Sequence, residues 1–148
     1  GRMELTGGGV VSNGLSFLIV EAENEESVKN AKLNTEKALN IASRYNVCGI
    51  YLFSRVEKKK VDIHARFFAP ALSVTEDAAT GSAAGAMGGY MARLLKFPRE
   101  VKLMIEQGVE MKRRSSIRVD VICDRGLLKT VKVTGTITYV GEGRIVLP

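Results

Sequence analysis

Two neighbouring carboxylates stand immediately before a run of very small residues, and this combination could perform acid–base chemistry. Glu76 and Asp77 lead into the segment 78–89, in which no residue is larger than Met87 and four of the twelve residues are glycine. A carboxyl group beside a bound anion can retain a proton at neutral pH and pass it to a substrate. Asp77 is therefore a candidate acid. The alternative is that it only caps the helix that follows, a common role for aspartate.

The beginning of that helix is a candidate anion site. The first amide groups of a helix have no partner within it, and the helix dipole places a partial positive charge there. Glycine at position 81 would let a ligand approach the backbone closely. The residues that would contact the anion are Thr80, Gly81, Ser82 and Ala83. Because a buried helix end holds little water, we expect a small anion such as a substrate carboxylate.

The small-residue helix must lie inside the protein. A helix of alanine and glycine has no polar face to turn towards water. Each internal glycine also costs roughly 0.5–1 kcal/mol relative to alanine, so close packing has to offset that cost. We expect Gly85, Gly88 and Gly89 to admit large side chains from surrounding strands. The sequence thus predicts a central helix enclosed by a strongly curved sheet.

The rest of the chain supplies strands and one further helix. Ala38, Ile41, Ala42 and Tyr45 recur at helical spacing and predict a helix over about 27–45. The turn Asn13-Gly14 introduces a strand ending near residue 22, and the lysine-rich turn at 57–60 joins two strands into a hairpin. Alternating patterns predict the remaining strands. The predicted strands span 10–22, 47–56, 61–69, 101–106, 117–123 and 130–139. The sequence therefore predicts a single α+β domain over residues 1–148, with a mixed or antiparallel, barrel-like sheet.

Composition argues against three classes of protein. The net charge is +6, but the basic residues gather at turns, aromatic residues make up 6% and tryptophan is absent, so a nucleic-acid stacking surface is not expected. No apolar run reaches the roughly 18 residues of a membrane span. A single histidine leaves no His/Cys cluster for a metal, and we expect no metal and no cofactor.

The two cysteines, Cys48 and Cys123, lie far apart in apolar, strand-like segments. Cysteines in such surroundings are usually buried, reduced thiols of a protein in a reducing compartment. We therefore expect a cytoplasmic location.

The segment "ARFFAPALSVTEDAATGSAAGAMGGYM" (65–91) resembles the signature of the PhzF-like, phenazine-biosynthesis-type isomerases. In that family an arginine is followed by Phe-x-Pro and then by Glu-Asp-Pro-Ala-Thr-Gly-Ser-Ala. The segments "VSNGLSFLIV", "IEQGVEMKRRSSI" and "VKVTGTITYVGEGRIVLP" resemble other family segments in the same order. The resemblance implies the diaminopimelate epimerase fold, in which two similar halves each wrap a curved sheet around a helix. This chain resembles the C-terminal half.

The resemblance implies an isomerase that moves a proton on a small carboxylic acid in the cleft between the two halves. Asp77 would be the assisting acid, with Gly81, Ser82 and Ala83 around the carboxylate, while the other half supplies a glutamate base. That half would be an N-terminal domain or a second copy of the chain in a homodimer. Thr80 stands where diaminopimelate epimerase has a cysteine, so a two-thiol mechanism is not available.

Some residues depart from the family pattern or have open roles. Ala78 replaces the usual proline, and Lys112 and Arg114 replace a glycine and a proline. Arg66 could bind Glu76 or Asp77 and order the loop. His64 is expected to serve packing or the surface rather than chemistry. A different class of function also remains open, namely a non-catalytic module that binds small anions or carboxylates.

Overall fold

The computed structural model describes residues 4–58 and 60–146. The strands within this part of the chain are β1 Leu5–Ser12, β2 Ser16–Ala22, β3 Gly49–Lys58, β4 Val61–Ala69, β5 Val74–Asp77, β6 Glu100–Gln107, β7 Ser115–Asp124 and β8 Leu127–Gly135. The helices are α1 Glu25–Lys29, α2 Thr35–Tyr45 and α3 Gly81–Leu94. None of these helices is long and apolar enough to cross a membrane.

The strands form one mixed sheet in the order β1-β2-β3-β4-β6-β7-β8, with β5 added beside β4. The pairs β2–β3 and β4–β6 are parallel, and the other pairs are antiparallel. The sheet curls around α3, while α1 packs on its opposite face through Val28, Leu52 and Phe68. The predicted α+β fold, a curved sheet around a central glycine- and alanine-rich helix, is confirmed.

Helix α3 is the core of the domain. Nine of its fourteen residues are buried, so the helix is enclosed along most of its length. It packs against inward-facing side chains such as Ile63 and Val119, both almost fully buried. A Cβ atom at Gly88 would lie 2.6 Å from Val119 Cγ1, closer than two carbon atoms can pack. The close contact at Gly88 is the one predicted, and a Cβ at Gly85 would also be tight, at 3.2 Å from Val133 Cγ2. A Cβ at Gly89 would make only an ordinary contact, at 3.4 Å from Leu128 Cδ1.

The single helix predicted over 27–45 is wrong, because the segment forms two helices. Asn24 caps α1 by accepting a hydrogen bond from the amide of Ser27. Asn34 begins α2 in the same way by accepting from the amide of Lys37. Asparagine favours such caps over helix interiors, which explains the break at 30–34.

Two strand predictions also need correction. A separate strand, β1, precedes the Asn13-Gly14 turn and pairs with β2, although its run of glycines disfavours a strand by propensity. The last strand ends at Gly135 rather than near residue 139. Its neighbour β7 begins at Ser115 and pairs Ile117 with Gly135. Only two residues of β7, Ser115 and Ser116, are therefore left to pair with the chain beyond Gly135. Apolar side chains in the following segment are exposed, including Ile137 at 97% and Tyr139 at 76%.

Candidate active site

A pocket of about 320 Å³ opens at the N-terminal end of α3. Its polar groups come from Asp77, Thr80 and Ser82. The rest of its wall is apolar apart from one thiol and consists of Leu15, Phe17, Cys48, Phe67, Ala69, Leu72 and Val74. A pocket with apolar walls and a few convergent polar groups is the usual form of a small-molecule site.

Asp77 is the last residue of β5 and lies opposite Phe67 of β4. Its Oδ2 accepts a hydrogen bond of 2.7 Å from Thr80 Oγ1. The N-cap position of α3 is occupied by Thr80, whose side chain makes no capping hydrogen bond. Asp77 is therefore not the cap of this helix, and its half-buried carboxylate lines the pocket instead.

Of the first three residues of α3, Ser82 alone lines the pocket. Gly81 is exposed but lies outside the pocket wall, and Ala83 is fully buried. The first helical hydrogen bond runs from the amide of Ala84 to the carbonyl of Thr80, at 2.9 Å. Within residues 4–58 and 60–146, no side chain accepts a hydrogen bond from the amides of 81–83. The amides at this helix end therefore have no side-chain acceptor within the described part of the chain.

The sequence predicted that Thr80 contacts the anion, but its amide donates to a side chain of the protein. It donates to Oε1 of Gln107 at 3.4 Å, so it is not directed at a ligand. Thr80 contributes to the site through its hydroxyl group, which contacts Asp77. On the other side of the helix end, Asn13 Nδ2 donates to the carbonyl of Ser82 at 2.8 Å. The Asn13-Gly14 turn therefore borders the site.

Gln107 is a site residue that the sequence reasoning missed. It ends β6, is fully buried, and contacts both Asp77 and Thr80. The alternation Val101, Leu103, Ile105 places position 107 on the same inward face of the strand. A glutamine that continues an apolar face must have buried hydrogen-bond partners, and this signal could have identified it.

Gly108 lies directly after β6 and packs against Ala78, the residue that follows Asp77. It has a φ of +77°, which favours glycine. A Cβ atom at this position would lie 2.7 Å from the carbonyl oxygen of Ala78. The close approach packs the backbone after β6 directly against Ala78, at the end of the strand that presents Asp77.

Arg66 binds Glu76, one of the two partners expected from the sequence. Its Nε and Nη2 donate to Oε1 and Oε2 of Glu76, both at 2.8 Å. Its Nη1 donates to the carbonyls of Val28, Lys29 and Ala31 at the end of α1. The hydrogen bonds with Glu76 raise the pKa of Arg66, which therefore stays charged.

His64 is fully buried in a charged cluster on the outer face of the sheet, where α1 covers it. Its Nδ1 lies 3.2 Å from Glu106 Oε1, and its Nε2 lies 2.8 Å from Glu110 Oε1. Burial raises the pKa of Glu106, but hydrogen bonds with His64 and Lys58 outweigh this and lower it overall. The cluster lies behind β4 and β6, on the face opposite to α3.

Part of this cluster has the geometry of a cation site. Ligand atoms of Glu25, His64 and Glu106 lie within 4.8 Å of one another. However, Lys58 Nζ contacts Glu25 at 2.7 Å and Glu106 at 3.2 Å. The lysine ammonium therefore supplies the positive charge that the two carboxylates require.

Both cysteines are free thiols. Cys123 is buried, as expected, but Cys48 is only partly buried and lines the pocket. The prediction that both are buried is therefore correct for one of them.

Comparisons with known proteins agree with this architecture. The family profile described as "Phenazine biosynthesis-like protein" matches residues 5–143. An uncharacterized isomerase of Clostridium acetobutylicum is 28% identical over 142 residues, which cover 93% of this chain and 47% of that protein. The trans-2,3-dihydro-3-hydroxyanthranilate isomerase of Pseudomonas aeruginosa is 39% identical over 83 residues, or 56% of this chain and 30% of the enzyme.

A solved structure is also similar to nearly the whole of this chain but to only part of its own length. The crystal structure of a PhzF-family phenazine biosynthesis protein of Bacillus anthracis aligns with a TM-score of 0.74 and 28% identity. The alignment covers 84% of this chain and 44% of the other. The chain thus spans less than half the length of each of these relatives.

Proposed function

Because the chain belongs to the phenazine biosynthesis-like (PhzC-PhzF) family, we propose that it is one half of a cofactor-independent isomerase or epimerase. The reaction would move a proton on a small carboxylic acid. The observation that carries this proposal is the Asp77 carboxylate beside the open N-terminus of α3, in one pocket of about 320 Å³. The first acid to test is trans-2,3-dihydro-3-hydroxyanthranilate, which the Pseudomonas aeruginosa relative is named for.

In this proposal the substrate carboxylate binds at the start of α3. The amides of Gly81, Ser82 and Ala83 donate hydrogen bonds to it, and the helix dipole stabilises its charge. The rest of the molecule contacts the apolar wall formed by Phe17, Phe67 and the neighbouring side chains. Excluding water from this wall strengthens the electrostatic interactions at the helix end.

Asp77 exchanges a proton with the substrate. It is the only acidic residue among those that line the described pocket. A shift of a proton from one carbon to another requires a group that removes it and a group that delivers it. The second group would be the glutamate that family members carry in their other half, so the active site is completed by a second, similar domain.

Two observations support a second domain. The chain spans less than half the length of its relatives. It also exposes Ile137, Tyr139 and Val140 to solvent beyond the end of β8, at 76–97%. Apolar side chains clustered in this way commonly mark a protein–protein contact.

A homodimer is the alternative source of that second domain. Two copies related by a twofold axis would set Asp77 against Asp77 across the cleft. Sedimentation analysis distinguishes the two arrangements, because a strict monomer at working concentration excludes the homodimer.

The proposal is tested by restoring the missing half. The chain is co-expressed with the N-terminal half of the Clostridium acetobutylicum relative, and the deuterium that enters the candidate acid from D₂O is measured. We expect Asp77→Ala to reduce exchange by about 10²–10⁴-fold, the usual contribution of a general acid or base. Asp124→Asn, an exposed aspartate at the end of β7, is the matched control and should leave exchange unchanged. Exchange that survives Asp77→Ala would remove Asp77 from the mechanism.

A second candidate function is a non-catalytic module that binds small carboxylates. The pocket favours this binding function because it has an open helix end for a carboxylate but only one acidic residue, whereas the proton shift needs two groups. This function predicts that acetate or sulfate raises the melting temperature while no deuterium enters any acid, even in the assembled protein.

A further inference from the structure

Two hydrogen bonds in series connect the buried side chain of Gln107 to the carboxylate of Asp77, and a third connects it to the Asp77 backbone. Gln107 Nε2 donates to the carbonyl of Asp77 at 2.8 Å and to Thr80 Oγ1 at 3.0 Å. Thr80 Oγ1 in turn donates to Asp77 Oδ2 at 2.7 Å. Gln107 is fully buried and Thr80 is 9% exposed, so the bond between these two residues is shielded from water, whereas the bonds to the half-buried Asp77 are only partly shielded.

The direction of each bond follows from groups whose roles are unambiguous. The carbonyl of Asp77 can only accept, and the amide of Thr80, which contacts Gln107 Oε1, can only donate. These two neighbours fix the orientation of the glutamine amide, and both hydrogens of Nε2 are in use. Since Thr80 Oγ1 receives one of them, its own hydrogen must point to Asp77 Oδ2.

This arrangement makes the two oxygens of Asp77 different. Oδ2 is engaged by the threonine hydroxyl, whereas Oδ1 has no hydrogen-bond partner among residues 4–58 and 60–146. A proton held by Asp77 therefore resides on Oδ1. The bond to Oδ2 also restricts rotation of the carboxylate, so Oδ1 keeps one orientation.

We infer that Gln107 is a positioning residue for the proposed proton transfer: through Thr80 it fixes which oxygen of Asp77 carries the proton. The inference rests on the proposed function of Asp77. Gln107 does not touch the substrate, because it lies behind Thr80 and outside the pocket lining. Its effect is transmitted by the threonine hydroxyl.

The first experiment examines the hydrogen-bond chain in the 148-residue protein without any substrate. NMR follows the exchange of the two side-chain amide hydrogens of Gln107 with solvent. We expect both to be protected in the wild type and in Thr80→Ser. In Thr80→Val the hydrogen that donates to Oγ1 loses its acceptor, and its protection falls. Equal protection in Thr80→Val would overturn the proposed chain.

The second experiment measures catalysis by the assembled protein with trans-2,3-dihydro-3-hydroxyanthranilate. We expect Thr80→Val and Gln107→Leu to lower kcat by about tenfold or more, the value of one hydrogen bond to a charged group. KM should change little, because the amides of Gly81 and Ser82 are untouched. Thr80→Ser keeps the hydroxyl group and should therefore keep the wild-type kcat. Thr75 is an exposed threonine of β5, and Thr75→Val should leave kcat unchanged.

The outcomes separate this inference from the function on which it rests. No exchange by the wild-type assembly would overturn both. Exchange that depends on Asp77 but is unchanged by Thr80→Val would overturn the positioning role alone. A rise in KM with constant kcat would also overturn it, because that result indicates a part in binding.

Discussion

Arg66 and Glu76 form a bidentate ion pair in which two parallel hydrogen bonds of 2.8 Å join guanidinium to carboxylate. The same guanidinium donates to three backbone carbonyls at the end of α1 and stacks 4.8 Å from the ring centre of Phe68. Because Glu76 directly precedes Asp77 in β5, one arginine of β4 connects α1 to the strand that presents the candidate acid.

Replacing this arginine should destabilise the whole domain. Arg66→Met leaves the Glu76 carboxylate, which is 15% exposed, and the α1 carbonyls without their donor. Breaking a buried ion pair from one side typically costs about 3–5 kcal/mol. We expect a loss of this size in the free energy of unfolding, measured by urea denaturation.

The matched control is Arg118→Met. Arg118 also forms a bidentate pair, with Asp120, but its side chain is 51% exposed. Exposed pairs contribute little because water solvates both partners. Equal effects of the two substitutions would show that burial of the Arg66 pair is not the cause.

Gly88→Ala should destabilise the protein although alanine is the better helix former. The new Cβ would lie 2.6 Å from Cγ1 of Val119, which is fully buried and cannot move aside. Overpacking of this kind costs about 1–3 kcal/mol, against a propensity gain of about 0.5–1 kcal/mol. Thermal denaturation of Gly88→Ala, alone and combined with Val119→Ala, measures the effect and its relief.

The neighbouring glycine provides the comparison. A Cβ at Gly89 would meet Leu128 Cδ1 at 3.4 Å, an ordinary contact. Gly89→Ala should therefore be neutral or slightly stabilising. Destabilisation by both substitutions to the same extent would contradict a specific contact between position 88 and β7.

Lowering the pH should reduce the free energy of unfolding, because protonation of Glu25 removes a stabilising charge. Hydrogen bonds from Lys29 and Lys58 lower the pKa of Glu25 from 4.5 to about 2. The unfolded chain binds a proton near pH 4.5 and the folded chain only near pH 2, so this stabilisation is complete above pH 4.5. It is lost as the pH falls from 4.5 to 2.

Urea denaturation between pH 7 and pH 2 measures this effect. Glu25→Gln should be less stable than the wild type at pH 7, and the difference should shrink towards pH 2. Glu36→Gln, in the exposed first turn of α2, is the control. Its free energy of unfolding should change with pH in the same way as that of the wild type. A difference for Glu25→Gln that is constant with pH would contradict the role of its charge.

The exposed segment after β8 should contact the second domain. Ile137→Asp changes a side chain that is 97% exposed in this chain, so its stability should not change. Its affinity for the N-terminal half should fall roughly tenfold or more, because a buried isoleucine contributes about 1.5–3 kcal/mol. Calorimetric titration measures the affinity. Leu127→Asp, at the exposed start of β8, should bind normally, and equal binding by both variants would place the interface elsewhere.

Much of the fold follows from local patterns. The absence of a polar face predicted that α3 lies at the centre, and alternation around the lysine turn predicted the β3–β4 hairpin. The small residues and the two carboxylates likewise marked the region of the pocket. These features were predictable because the period of the apolar residues states which face of an element must be buried.

Other features depended on contacts between distant parts of the chain. His64 is polar on its strand, yet α1 and Glu110 bury it. The amide of Thr80 belongs to an open helix end by local rules, yet Gln107, 27 residues later, accepts its hydrogen. The alternating pattern beyond Gly135 continues, yet β7 offers too little backbone to pair with it. A local pattern states what a segment can pair with or bury, whereas only the folded chain decides which partner reaches it.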